Sequence, residues 1–425
     1  MAFYCTLLRA KLQLFSQIIA QKQGHTKQLC DFFRIFVENN HFFDNPMKKL
    51  PKGLRITIEC VLIVIMGGIA TNLVDRIPTE PKVKNVIYLI GDGMGLAHIT
   101  STMIMQDYEP LNMERAEYVG LCKTYSKNSL VTDSAAAGTA LSTGYKTKNG
   151  MIGMTPDSVA HPSIREKAEK AGLATGIIAT YPVTNATPAA FVGHVPHRRM
   201  EDEIATYYIT NEVDVVIGGG SRRFDQRADS VNLFNTLRDK GYTIAFDMEE
   251  IKDVTSGKVM ALLNDDSMPT VEHGRDVNFL ADATAKALEI LTNNSRKNKK
   301  EGFFLMVEGS QIDGWAHQHN FNGMVQEVKD LDAAAKVAFD YADKHPGTLV
   351  VVTADHETGG LTIVNSSRKF DITDHKVDFL WSTGGHNGGM VPLFAYGTGA
   401  EHFTGVFENT DIPRIMCRLL GLDED

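Results

Sequence analysis

The sequence predicts an α/β fold: one large three-layer domain built on a mostly parallel sheet with helices on both faces. Three observations carry that expectation. Val83 to Ile90, Phe303 to Val307 and Leu349 to Thr353 are short, nearly continuous apolar runs, the composition needed by strands buried on both faces. Each run delivers an acid at or just past its carboxyl end, in turn Asp92, Glu308 and Asp355. Between the last two runs, Met324, Val325, Val328, Leu331, Ala335 and Ala338 recur at helical spacing within Met324 to Tyr341, the crossover that parallel neighbours require. Ligands of open α/β sheets gather beyond the carboxyl ends of the strands, so the three acids are expected to converge there.

Taken in order, the chain begins unlike the rest. Residues 1–70 read as a leader, 71–82 as a linker and 83–425 as the main domain. Lys48, Lys49, Lys52 and Arg55 make Met47 to Arg55 basic, and Cys60 to Ala70 is an apolar run too short to span a bilayer comfortably. That is the pattern of an export signal, with translation starting at Met47 and Gly68-Ile69-Ala70 as the cleavage site; an uncleaved membrane anchor is the alternative. A periplasmic or extracellular location follows from cleavage. Residues 1–70 carry nine Lys or Arg and four Asp or Glu, a net +5 against −9 for the chain, so the remainder holds −14 and a nucleic-acid partner is not expected. Cys5, Cys30 and Cys60 lie in the leader, leaving Cys122 and Cys417 to form one bridge or none.

After the first strand, Gly91-Asp92-Gly93-Met94-Gly95 has neither the dinucleotide spacing nor a phosphate-loop lysine and reads as a glycine turn around Asp92. Leu130 to Ala140 reads as the entry to a small-residue helix, with Ser134 in its first turn, where free backbone N–H groups and the dipole favour anions. Alone, Asp133-Ser134-Ala135 is an ordinary helix cap; only partners elsewhere make Ser134 a nucleophile. Gly172 to Thr180 is a further strand, followed by Asn185-Ala186-Thr187-Pro188 and by His194, His197, Arg198 and Arg199. Asp214 to Ile217 enters Gly218-Gly219-Gly220; helices are expected over Ser230 to Lys240 and Val277 to Leu291, with the strand Tyr242 to Phe246 between them. Arg296 to Lys300 is a solvated loop, Val391 to Tyr396 a late strand and Ile412 to Leu420 a closing helix.

Two histidines and a carboxylate with an open position describe a catalytic zinc site, and Asp313, His317 and His386 supply them; the first two stand four apart, within reach of one ion from a single turn. Asp92, Asp355 and His356 form a second set, with the Ser134 hydroxyl beside them. A third set, Asp92, Thr187 and Glu308, is all oxygen and suits the harder ion magnesium. Any one of these residues has an ordinary reading as a surface or capping group, and His194, His197, His319, His375 and His402 keep that reading.

The ordered set Gly91-Asp92-Gly93-Met94-Gly95, Thr132-Asp133-Ser134-Ala135-Ala136, Val307-Glu308-Gly309, Asp313 with His317, Thr353-Ala354-Asp355-His356-Glu357 and Gly385-His386 resembles the alkaline phosphatase family. The short segment between His356 and His386 leaves no room for the crown domain of animal members, so the resemblance is to compact bacterial enzymes. It covers the chain from about Val83 onward but not the leader, the insert around Gly241 to Asp276 or the C-terminal tail. The resemblance implies two Zn2+ and one Mg2+ on the three sets above. It implies hydrolysis of small phosphate monoesters, with Ser134 attacking in line to form a phosphoserine that water then hydrolyses, retaining configuration at phosphorus. Arg198, in Val195-Pro196-His197-Arg198, falls where the family clamps phosphate with a guanidinium; Arg199 is its rival. A homodimer is one assembly open to such a chain, and membrane contact is expected only through an uncleaved N-terminal segment.

Two departures from the family pattern bear on that site. Asn185 stands where some members carry an acid that helps hold magnesium's waters, and Gly314 where bulkier residues often reach phosphate through water, with Trp315 placed either to fill that space or to pack. Among alternatives, a phosphodiesterase of the same superfamily shares the metal scaffold, whereas a sulfatase needs a modified Cys or Ser in a motif absent around Ser134. A metal-independent serine hydrolase lacks its G-x-S-x-G elbow here. A non-catalytic phosphate- or metal-binding protein leaves Ser134 and Arg198 unexplained.

Overall fold

Strands that must be apolar throughout end up in the middle of a sheet, and that is where the three acid-tipped runs lie. The computed structural model describes Pro51 and residues 82–297, 301–364 and 378–422. All but Pro51 belong to the second of the chain's two units, Glu80–Asp425. The leader over 1–70 (Pro51 apart), the linker up to Pro81, Cys5, Cys30, Cys60 and His375 lie outside the described residues.

The first half of the unit contains β1 (Asn85–Gly91), α1 (Leu96–Met105), β2 (Tyr118–Lys123), α2 (Ser134–Thr143), α3 (Ile164–Lys170), β3 (Ala174–Pro182), α4 (Ala186–Ala189), α5 (Glu201–Thr210) and β4 (Val215–Gly219). Next come α6 (Arg222–Asp225), α7 (Leu233–Asp239), β5 (Tyr242–Ala245), β6 (Lys258–Leu262), α8 (Phe279–Ser295), β7 (Phe303–Gly309), α9 (Gln311–His317), α10 (Phe321–Lys344) and β8 (Thr348–Ala354). The last part holds four short strands, β9 (Glu357–Thr358), β10 (Leu361–Ile363), β11 (Phe379–Trp381) and β12 (His386–Asn387), then β13 (Val391–Gly397), β14 (Gly405–Glu408) and α11 (Asp411–Leu420).

Ten strands form one sheet in the order β14-β2-β13-β8-β1-β7-β3-β4-β6-β5. It is mostly parallel, as expected; β13 alone runs antiparallel to its neighbours β8 and β2. Every residue of β7 and β8 is buried, and because successive side chains point to opposite faces, both faces must be covered. On one side α8 packs against β3 and β7 and against α10, which lies over β1 and β8. The α10 stripe read from the sequence, from Met324 through Ala338, is buried. Each large apolar side chain in it contributes roughly 1.5–3 kcal/mol.

Register then sets the site. Gly91 at the end of β1 pairs with Gly309 on β7 and with Ala354 on β8. Asp92, Glu308 and Asp355 therefore leave three adjacent strands within one residue of the same level. Seven strands go beyond the expectation, β2, β6, β14 and the β9–β12 group, as do the helices α1 and α3 to α6. β2 and β14 lie at a sheet flank where Val119 and Val406 are exposed, so neither carries a continuous apolar run. Within the insert, β6 pairs parallel with β4 and β5 and widens the sheet. Cys122 and Cys417 are both buried and are not joined in a disulfide. Among the described residues no helix is long and apolar enough to cross a membrane.

Candidate active site

Ser134 opens α2, and the Asp133 side chain caps that helix by accepting from the Ala136 N–H at 3.0 Å. The capping and nucleophile readings thus fall on different residues. Gly138 in mid-helix costs about 1 kcal/mol of helix propensity, yet a Cβ there would press to 3.3 Å on both the Ala190 Cβ and the Thr187 Cα. The small residues let α2 sit against α4, so Ser134 and Thr187 share one side of the site. Ser134 is 3% exposed, and its Oγ lies 3.2 Å from His356 Nε2.

The histidines show most clearly what the site is built to hold. His317 Nδ1 lies 2.8 Å from the Gly384 carbonyl and His386 Nδ1 lies 2.9 Å from the Thr132 carbonyl. A carbonyl only accepts, so each Nδ1 carries a ring proton, and each ring in its neutral form has its lone pair at Nε2. Those two Nε2 atoms stand 3.2 Å apart, with Asp313 Oδ1 at 3.3 Å from His317 and 3.6 Å from His386. Three lone pairs facing one point need a positive charge between them, either a proton or a metal ion. The hydrogen bond that His317 donates to Asp313 raises His317 to about 9 against the opposing effect of burial, whereas burial and the charge of His356 lower His386. Burial pushes Asp313 upward, but its hydrogen bond with His317 and the other imidazoles hold it well below the usual range.

A second convergence surrounds His356, whose Nε2 is 3.0 Å from Asp355 Oδ2 and 3.6 Å from Asp92 Oδ1. Asp355 Oδ1 is used elsewhere, accepting from the Gly93 and His356 backbone N–H groups. Ligand atoms of Asp313, His317 and His386 lie within 4.8 Å of one another, and so do those of Asp92, Asp313 and His356. Asp313 therefore stands between the two sets, which the sequence assigned to one set only.

The all-oxygen set carries its own mark. Both Glu308 oxygens, Thr187 Oγ1, Asp92 Oδ1 and Asp355 Oδ2 are buried without a well-formed hydrogen bond, with the Ser310 and Thr187 hydroxyls near Glu308. Leaving such groups unpaired costs several kcal/mol each unless a cation satisfies them. Burial, followed by the charges of Asp355, Asp313 and Glu308, pushes Asp92 well above the carboxylate range, and burial pushes Glu308 up to about 8. Donors of this kind fit bound metal ions: nitrogen and carboxylate at the histidines, oxygen alone around Glu308.

Of the two arginines, Arg198 faces the site. Its Nη1 lies 3.5 Å from Asp133 Oδ2, and its Nη2 donates to Asn185 Oδ1 at 3.4 Å, while Arg199 is exposed. Gly150 braces this arrangement, its N–H donating to Asp133 Oδ2 at 2.9 Å and its carbonyl accepting from the Arg198 N–H at 2.7 Å. The space at Gly314 is taken by a residue the sequence did not single out: a Cβ there would fall 2.6 Å from the Tyr181 hydroxyl. Trp315 instead stacks on His273, ring centroids 5.5 Å apart, so its part is packing. His194 bonds Gly153 and Glu166, and His319 bonds the Thr383 carbonyl, in keeping with their ordinary reading. Thr358 also went unnoticed, although it lies two residues from His356, and Gly93 was read only as part of the glycine turn around Asp92.

The sequence matches the family model for alkaline phosphatase over residues 83–373. It is 31% identical over 463 residues to alkaline phosphatase 3 of Bacillus subtilis (strain 168), covering 88% of this chain and 98% of the relative. Against the alkaline phosphatase of Escherichia coli (strain K12) it is 32% identical over 432 residues, covering 84% and 90%. The solved alkaline phosphatase of the Antarctic bacterium TAB5 is 38% identical, with a TM-score of 0.74 over 81% of this chain and 100% of that one. A variant of that enzyme, described with Mg bound in its M3 site, gives a TM-score of 0.75. The matched span takes in every candidate residue above except His386, and on that evidence the chain belongs to the alkaline phosphatase family of metal-dependent hydrolases.

Proposed function

We propose that this protein hydrolyses phosphate monoesters through a phosphoserine on Ser134. The observation that carries the reading is the pair of Nε2 atoms of His317 and His386, 3.2 Å apart beside the Asp313 carboxylate. In this reading Asp313, His317 and His386 would hold one Zn2+; Asp92, Asp355 and His356 the other, with Ser134 as a further oxygen; and Asp92, Thr187 and Glu308 an Mg2+. Bound there, the ions would neutralise the carboxylates, lower the pKa of oxygen nucleophiles and stabilise charge on the phosphoryl group.

The chain's own groups do the rest. Arg198 forks onto two non-bridging phosphate oxygens, aimed by Asp133 and Asn185. Ser134 Oγ, at the positive end of α2, attacks phosphorus opposite the ester oxygen. The P–Oγ bond forms as the ester P–O bond breaks, and the departing alkoxide takes a proton from water. The Ser134 Oγ–H proton passes to solvent during this first attack. Water then attacks the phosphoserine from the opposite side, the P–Oγ bond breaks, and a proton from the attacking water ends on Ser134 Oγ while its oxygen stays on the phosphate. Two inversions give net retention. The reading also carries the assignment of 83–425 as catalytic domain, 1–70 as an export leader and 71–82 as a linker.

The test is turnover of p-nitrophenyl phosphate and of bis(p-nitrophenyl) phosphate, by wild type and Ser134→Ala, before and after EDTA and after zinc and magnesium are restored. Monoesterase activity at alkaline pH is expected to be lost with the chelator and regained with the metals. Ser134→Ala is expected to lose on the order of 10³-fold or more. Activity that survives both treatments would sink the mechanism, and a diester turned over faster than the monoester would make the protein a phosphodiesterase.

A further inference from the structure

We propose that the Thr358 hydroxyl is a positioning group shared by the two metal-binding sets, locking Asp313 to His356 and deciding which nitrogen of His356 is free. The inference rests on the metal-dependent reading above and concerns a residue to which the mechanism gave no part.

Thr358 is fully buried in β9, which pairs with β12 so that Thr358 lies opposite His386. Its N–H donates to the Gly93 carbonyl at 3.1 Å, which fixes the backbone. Its Oγ1 lies 2.5 Å from Asp313 Oδ1 and 3.2 Å from His356 Nδ1. A hydroxyl has one proton to give, and an ionised carboxylate can only accept. The Thr358 proton therefore goes to Asp313, leaving an Oγ1 lone pair for the Nδ1–H of His356. The ring is then held with Nε2 unprotonated and facing Ser134 Oγ, Asp355 Oδ2 and Asp92 Oδ1.

This differs from the other two histidines, whose Nδ1 protons are held by the main-chain carbonyls of Gly384 and Thr132. At His356 the tautomer depends on a side chain, and that side chain also grips a ligand of the other set. Space for the link exists because Gly93 lacks a side chain: a Cβ there would fall 2.8 Å from Thr358 Oγ1. Removing the hydroxyl should therefore loosen both sets together, which no residue serving a single set would do.

The test is zinc binding by the full chain, stripped with a chelator and titrated with Zn2+ against a competing chromogenic chelator, for wild type, Thr358→Val and Thr358→Ser. Valine keeps the shape and loses the hydroxyl. Outer contacts of this kind are worth about 10–100-fold in metal affinity, so both tight zinc steps should weaken by about that factor in Thr358→Val. Thr358→Ser should stay within about threefold of wild type. If the stripped Thr358→Val chain melts early, Thr358→Ala, which also lacks the hydroxyl, must show the same paired loss. The proposal is overturned if the hydroxyl-free variant binds zinc like wild type, if only one step weakens, or if serine fails to restore binding in a folded chain. Wild type that takes up no zinc would sink this inference and the proposed function together. Wild type binding two ions with an unaffected valine variant would sink this inference alone.

Discussion

Replacing Gly93 with alanine puts a single methyl group against the most crowded point of the site. Gly93 has φ +76°, a conformation that costs an L-residue roughly 1–2 kcal/mol. The new Cβ would lie 2.8 Å from Thr358 Oγ1, 2.9 Å from the Asp313 Cα and 3.0 Å from the Asp313 Cβ. Two of those neighbours belong to α9 and cannot swing aside as the end of a long side chain would. Overpacking a tight interior adds typically 1–3 kcal/mol, so a loss of about 2–5 kcal/mol in unfolding free energy is expected. Whatever part of the strain is relieved by movement must displace Asp313, which stands between both metal-binding sets. A displacement approaching 1 Å in such a site costs on the order of 10²-fold in turnover. The assay pairs urea denaturation of the metal-loaded protein with kcat/KM for p-nitrophenyl phosphate. An alanine variant within about 0.5 kcal/mol and twofold of wild type would refute the argument, because the chain would then have absorbed the methyl group without moving Asp313.

Two further outcomes follow from the same geometry. Arg275 is buried, its Nη2 bonding Glu327 at 2.5 Å and Asp330 at 2.8 Å, so Arg275→Met strands two buried carboxylates and should cost about 3–5 kcal/mol in urea denaturation; a loss below 1 kcal/mol would show that the pair is not stabilised by the arginine. The metal-free His317, raised to about 9 by the hydrogen bond it donates to Asp313, must lose its proton before Nε2 can take a metal. Zinc affinity should therefore rise with pH, by up to about tenfold per unit, and level off above about pH 9. Titration of the stripped protein between pH 7 and 9 checks this, and a flat profile across that range would contradict it.

The central strands were legible because burial on both faces leaves a strand no polar position until its end. Val86–Ile90, Phe303–Val307 and Leu349–Val352 are fully buried, and the first carboxylates beyond them are the candidate ligands Asp92, Glu308 and Asp355. The α10 crossover was legible for the complementary reason, since its apolar stripe has a period that only a helix turns into a face. The flanking strands β2 and β14 were not, because a half-exposed strand tolerates the same mixed composition as a loop.

At the site, residue types and their spacing marked Asp92, Ser134, Thr187, Glu308, Asp313, His317, Asp355, His356 and His386 from the chain alone, and the family resemblance added Arg198. What they do to one another depends on distances across long separations in sequence. Gly93 meets Asp355 across 262 residues and Ser134 meets His356 across 222. That Arg198 and not Arg199 meets Asp133 and Asn185, that the Tyr181 hydroxyl fills the space at Gly314, and that Asp313 stands between two sets were visible only in the tertiary structure. The sequence by itself determined which groups are available to hold metal and phosphate, because that depends on chemistry and local period. Which lone pairs face one another, and which proton each ring keeps, was decided by packing, because a hydrogen bond depends on tenths of an ångström between groups that the chain order leaves far apart.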